Sequence, residues 1–108
     1  MTIENFLKNE GYSLYPQLVE YPYTKRNLWQ KQISNERVCE TNEKLFINVL
    51  QYQFEEYTEV EHEKFEVYIV AEFHEKWWDI KCYSLSQEEI IYDLHSLEST
   101  LIKMFNTI

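Results

Sequence analysis

The chain has 108 residues, 44% of them apolar and 17% aromatic, with one glycine, two prolines, two cysteines and a net charge of −9. Length and apolar content together support one domain with a core of ordinary size, and they exclude a disordered chain. The lone glycine excludes glycine-rich phosphate loops and dinucleotide fingerprints, the two cysteines are too few for a secreted disulfide scaffold, and the excess of carboxylates argues against nucleic acid and anionic membranes as partners.

Residues 1–10 carry charges where a signal peptide needs an apolar stretch, and the apolar runs are too short to span a bilayer, so a soluble, cytoplasmic protein is expected. Thr2 can cap a short helix that buries Ile3, Phe6 and Leu7, and Gly11 stands where a left-handed residue would end it. Residues 12–24 place Tyr12, Leu14, Tyr15, Leu18 and Val19 around Pro16 and Pro22, which reads as an irregular packed segment, too aromatic for a linker.

Residues 28–34 read as a strand with Trp29 and Ile33 on one face, and residues 35–42 as a polar connection. Residues 44–57 form the most apolar strand, with Leu45, Ile47 and Val49 on one face and Phe46, Leu50, Tyr52 and Phe54 on the other. Such a strand is buried on both sides or used for binding. Residues 55–66 hold six glutamates and one lysine, a local charge of −5, and read as an acidic loop with a strand extension as the alternative.

In residues 65–74 the odd positions Phe65, Val67, Ile69, Ala71 and Phe73 are apolar, which is strand alternation. A second strand, 77–85, completes a hairpin. With Glu75 and Lys76 at its tip, Phe73 faces Trp78, Ala71 faces Ile80, Ile69 faces Cys82 and Val67 faces Ser84, giving one apolar face. The tip lacks the Asn-Gly or Asp-Gly of a tight hairpin, so a looser loop in the same register fits equally well.

Ser86 followed by Glu89 is a capping box, and it starts a helix of about twenty residues. Ile90, Leu94, Leu97, Leu101, Met104 and Ile108 form its stripe, widened by Ile91, Ile102 and Phe105. At ~1.5 Å per residue the helix is roughly 30 Å long and can cover the hairpin. The fold expected is therefore α+β: a single domain with a four-stranded antiparallel meander sheet, a long C-terminal helix packed on one face and a short N-terminal helix. The short N-terminal helix and the tyrosine-rich segment are expected to cover part of the second face.

Chemistry-bearing residues are sparse. Cys39, Cys82, His62, His74 and His95 match no zinc spacing and read as buried thiols and surface histidines, and no cofactor, metal or catalytic set is expected. Glu98 intrudes on the apolar arc of the last helix. It is either a perturbed carboxylate in a pocket or an arc-edge residue that reaches water or pairs with a base such as Lys81.

Turned away from that helix are Tyr68, Val70, Trp77, Tyr83 and Leu85, flanked by Glu66, Glu72 and Asp79. Aromatic anchors ringed by charge are the pattern of a binding surface. With Glu55, Glu56, Glu59, Glu61 and Glu63 from the acidic stretch, Glu66, Tyr68, Glu72, Trp77, Asp79 and Tyr83 make the candidate partner-binding set. Its natural complement is a basic protein surface. In composition the chain resembles phage-encoded inhibitors, including anti-CRISPR and anti-restriction proteins, and toxin-immunity proteins. The resemblance implies a non-enzymatic inhibitor that blocks a nuclease, effector or toxin without touching nucleic acid or membrane. A toxin-immunity protein, or a dimeric chaperone or assembly factor built on the two-faced strand, is the alternative, and a homodimer is a further option.

Overall fold

A computed structural model describes residues 2–20, 23–33, 44–56, 59–73 and 76–106; within the strands it describes the side chains of residues 13–16, 25–33, 45–53 and 63–70. The expected polar connection 35–42, with Cys39, lies outside the described residues. In chain order the elements are α1 (Ile3–Asn9), β1 (Ser13–Pro16), β2 (Tyr23–Ile33), β3 (Leu45–Glu56), β4 (Glu59–Phe73), β5 (Lys76–Leu85) and α2 (Gln87–Asn106). The fold is α+β: the strands form one antiparallel sheet in the order β1-β2-β3-β4-β5, a meander of four long strands with the short β1 added at one edge.

Local signals fix both helices. The Asn5 N–H donates to Thr2 Oγ1 at 3.2 Å, which starts α1. At its end Tyr12 N–H donates to the Leu7 carbonyl at 3.0 Å and Gly11 N–H to that of Lys8 at 3.1 Å. This paired closure requires a left-handed residue, and Gly11 supplies it with φ 94°. Tyr12 and Leu7 are both buried, completing the apolar contact that accompanies such a stop. At α2 the capping box forms both ways: Glu89 N–H donates to Ser86 Oγ and Ser86 N–H donates to Glu89 Oε1, each at 3.2 Å.

Alternation sorts the strands into two faces. One face carries Trp29, Leu45, Ile47, Val49, Phe65, Val67 and Ile69, all shielded from solvent. They form one cluster with Ile3 and Leu7 of α1 and Ile90, Leu94, Leu101 and Phe105 of α2. Both helices therefore cover the same face, with α2 lying over β4 and β5 and α1 against α2, so α1 does not cover the second face as expected, because Ile3 and Leu7 join the apolar cluster beneath α2. Fully burying such side chains contributes about 1.5–3 kcal/mol each, which is why this layer dominates the stability. The α2 stripe departs from expectation at Met104, which is 42% exposed while Phe105 is buried. The register of the helix on the sheet turns its last apolar contact one residue further along.

Three further expectations are corrected. In the β4–β5 hairpin Phe73 pairs with Lys76, Ala71 with Trp78, Ile69 with Ile80 and Val67 with Cys82, two residues away from the expected pairing. A two-residue slip preserves alternation, so the faces survive up to that point. The register then shifts, and Glu66 pairs with Ser84 and Phe65 with Leu85. Tyr83 is left without a partner on β4, as in a bulge, and Leu85 moves to the row of Phe65 on the helix-bearing face. The second correction concerns residues 12–20: residues 13–16 add a strand at the sheet edge, with Leu14 opposite Trp29, instead of lying across the second face. The third is that the acidic stretch is strand: β3 runs to Glu56 and β4 starts at Glu59.

Candidate protein-binding surface

The glutamates of the acidic stretch sit on an arm. β5 pairs with β4 only as far as Phe65, whereas β4 continues back to Glu59 along β3, so residues 59–64 run beyond the end of β5. β2 flanks β3 as far as the Tyr23–Phe54 pair. Glu55 and Glu56 end β3, Glu59, Glu61 and Glu63 begin β4, and Glu56 stands directly opposite Glu59. Like charges in facing positions destabilise a sheet. The arm carries this penalty at the Glu56–Glu59 pair.

Glu63 differs from the other arm glutamates. Trp29 Nε1–H donates to Gln51 Oε1 at 2.9 Å, Gln51 Nε2–H donates to Glu63 Oε1 at 2.8 Å, and Glu63 Oε2 lies 3.6 Å from Lys25 Nζ. Lys25 also reaches Glu4 of α1 at 3.9 Å. Gln51 is fully buried, and burying an amide requires such partners. The relay holds the base of the arm against the helix-bearing layer. Gln51 was not singled out from the sequence, although a polar residue continuing the Leu45, Ile47, Val49 row was the available signal.

The remaining candidate residues fall on the second face, which carries no helix among the described residues. Glu66 stands opposite Leu50, Tyr68 opposite Asn48, Glu72 opposite Trp77, and Asp79 opposite Val70. Tyr68 and Glu66 are half-buried, while the side chains of Glu55, Glu56, Glu59, Glu61, Glu72, Trp77, Asp79 and Tyr83 lie outside the described ones. The candidate set therefore separates into two places, the arm and the second face, with Tyr83 at the bulge.

Glu98 resolves into a structural ion pair. Its carboxylate lies 2.9 and 3.0 Å from Lys31 Nζ and accepts the Tyr12 hydroxyl at 2.7 Å. The Lys31 ammonium sits 4.9 Å from the centre of the Tyr12 ring. The partner is Lys31 and not Lys81, because Lys81 pairs with Tyr68 and so belongs to the second face. Tyr12, β2 and α2 are thereby joined beneath the helix layer. His95 adds a surface link, with Nε2 2.9 Å from Glu10 Oε2. Among the described residues no group of three or more His, Cys, Asp or Glu is placed to hold a metal ion.

Burial, then the Glu98 charge and its hydrogen bond, then the Glu10 charge, push the Tyr12 hydroxyl far above the usual tyrosine range. An unfolded tyrosine ionises near pH ~10, so above that point the unfolded chain has released a proton that the folded chain still holds. The stability contributed by this group is complete below about pH 10 and falls by about 1.4 kcal/mol per pH unit above it. Denaturant titrations between about pH 9 and 11 should therefore show a steeper loss for the wild type than for Tyr12→Phe. Equal slopes would contradict a buried, neutral Tyr12.

No protein-family model, curated protein or solved structure matches this chain. Among the described residues no helix is long and apolar enough to cross a membrane.

Proposed function

We propose that the chain is a small acidic, non-enzymatic binding protein that blocks a basic surface of a nuclease or effector, in the manner of an inhibitor carried by a phage or mobile element. The observation that supports this reading is the arm, where β3 and β4 run past the end of β5 and, beyond the Tyr23–Phe54 pair, past β2, gathering glutamates and setting Glu56 opposite Glu59. A repulsive arrangement of this kind costs stability in the free protein, and a partner rich in Lys and Arg relieves it on contact. Carboxylates on a projecting hairpin raise the rate of encounter with such a surface, and salt screens the effect.

The test is association kinetics with a basic target at low and high salt. Glu55→Lys, Glu59→Lys and Glu61→Lys together should slow association about tenfold or more at low salt, with the difference shrinking as salt rises. Glu63 is left in place because it satisfies Gln51 and Lys25. An association rate and salt dependence unchanged by the triple reversal would reduce the arm to a solvated hairpin and remove the basis of this reading.

A further inference from the structure

β1 is an edge of the sheet, paired on one side only. Gln17 N–H donates to the Arg26 carbonyl at 3.0 Å, continuing the register in which Ser13 faces Gln30 and Tyr15 faces Leu28. Bonded and unbonded residues alternate in an antiparallel pair, so the odd residues turn their backbone groups toward β2 and the even ones turn theirs outward. Tyr12 N–H is taken by the Leu7 carbonyl at 3.0 Å, and Pro16 has no N–H. Of residues 12–16, Leu14 alone therefore directs both a donor and an acceptor away from the sheet.

The side chains around Leu14 are exposed and apolar. Leu14, Tyr15, Leu18 and Val19 are four of the six large apolar side chains exposed among the described residues. Residues 13–20 are exposed throughout, so no described helix covers the edge. Residues 11–19 also carry no charge, although the chain as a whole has −9. An open edge with apolar neighbours is a template for another strand, and proteins commonly blunt such edges with lysine or other charges. This edge has only Pro16.

We infer that β1 pairs antiparallel with β1 of a second copy about a two-fold axis at Leu14, joining two five-stranded sheets edge to edge. About that axis Leu14 N–H of each copy donates to the Leu14 carbonyl of the other, so the outward donor and acceptor satisfy each other reciprocally. On either side Tyr12 of one copy faces Pro16 of the other, and neither brings an unpaired N–H. Leu14, which stands opposite Trp29, lies beside its counterpart on the helix-bearing face, and Tyr15 lies beside Ser13 of the second copy on the other face. Charge favours a second copy as the occupant: like-charged chains repel, and here they touch through uncharged residues, whereas a basic partner is drawn to the arm. The contact is isologous, so it uses up the edge on both copies and stops at a dimer. It is independent of what the arm binds.

A four-residue edge buries less than the roughly 1,200 Å² at which stable interfaces begin, so the dimer is reversible and is measured over a concentration series reaching about 1 mM. In sedimentation equilibrium the wild type should rise from the 13.3 kDa chain mass toward twice that value. Leu14→Pro removes the outward donor and keeps the bonds to β2, because an edge strand tolerates a proline whose missing N–H faces away from its neighbour. That variant should stay monomeric and melt close to the wild type. Ser13→Lys with Tyr15→Lys, and Ser13→Glu with Tyr15→Glu, each set like charges opposite one another in this register. Each chain alone should be monomeric, and their equimolar mixture should form a one-to-one heterodimer, a rescue that a folding defect would not allow. A wild type that stays monomeric across the series, as it would if the edge takes a strand of a different protein, overturns the inference. Dimers that persist in Leu14→Pro, or a mixture of the charged chains that stays monomeric, overturn it as well.

Discussion

Leu101→Ala is expected to destabilise the protein by about 2–5 kcal/mol, because the side chain is fully buried in the layer between α2 and the sheet. Removing it forfeits the transfer energy of three methyl-sized groups and leaves a cavity that helix and sheet cannot both move to close. At this chain length each kcal/mol shifts the melting temperature by several degrees, so a loss of about 10 °C or more should be seen by calorimetry. Tyr92→Ala is the control: Tyr92 is 82% exposed on the opposite side of the same helix, and its truncation should change stability by no more than about 0.5 kcal/mol. Similar shifts for the two variants would mean that the helix face is wrongly assigned.

Glu98→Ala is the second large effect, about 3 kcal/mol, and its origin is electrostatic. The substitution strands the Lys31 ammonium and the Tyr12 hydroxyl beneath α2, each deprived of the acceptor it now uses at 3.0 Å or less. What is lost is mainly the penalty of two unsatisfied groups, not the net worth of the pair. The distinction is measurable. Lys31→Met, Glu98→Leu and Tyr12→Phe combined replace the whole node with apolar groups of similar length and should recover most of the stability lost by Glu98→Ala alone. A triple variant less stable than Glu98→Ala would show that the node contributes strongly favourable energy of its own.

The parts of the fold legible in the sequence are those set by short-range chemistry. Thr2, Gly11, Ser86 and Glu89 mark the helix ends because their bonds close within a few residues. The faces of β3 and β4 follow from alternation, which a slip of two residues cannot disturb. The register itself was not legible, since residues flanking the β4–β5 connection lack a turn signature that would fix it, and the bulge at Tyr83 leaves no local mark. β1 was hidden by Pro16, although an edge strand tolerates a proline at its end, where one backbone donor fewer matters least.

The arm was hidden for a related reason. Glutamates alternating with Val60 and His62 look like a solvated loop, and only pairing with β3 makes them a strand. For the candidate site, the sequence identified Glu98 as an intruder in an apolar arc but not its partners, because Tyr12 and Lys31 approach it from 86 and 67 residues away. The division of the acidic and aromatic residues between arm and second face likewise depends on where β5 stops, which is a property of the assembled sheet.

The strands lie side by side in the order in which they are made. During synthesis each one can pair with its predecessor as soon as it leaves the ribosome, so every strand pairing joins neighbours in the chain. Its cover follows the strands: α2 comes after all five of them, and until its twenty residues emerge α1 alone of the two described helices shields the row from Trp29 to Ile69. A nascent chain that stalls before Gln87 exposes that surface to its neighbours on the polysome. The completed helix is thus also what protects the newborn sheet from aggregation.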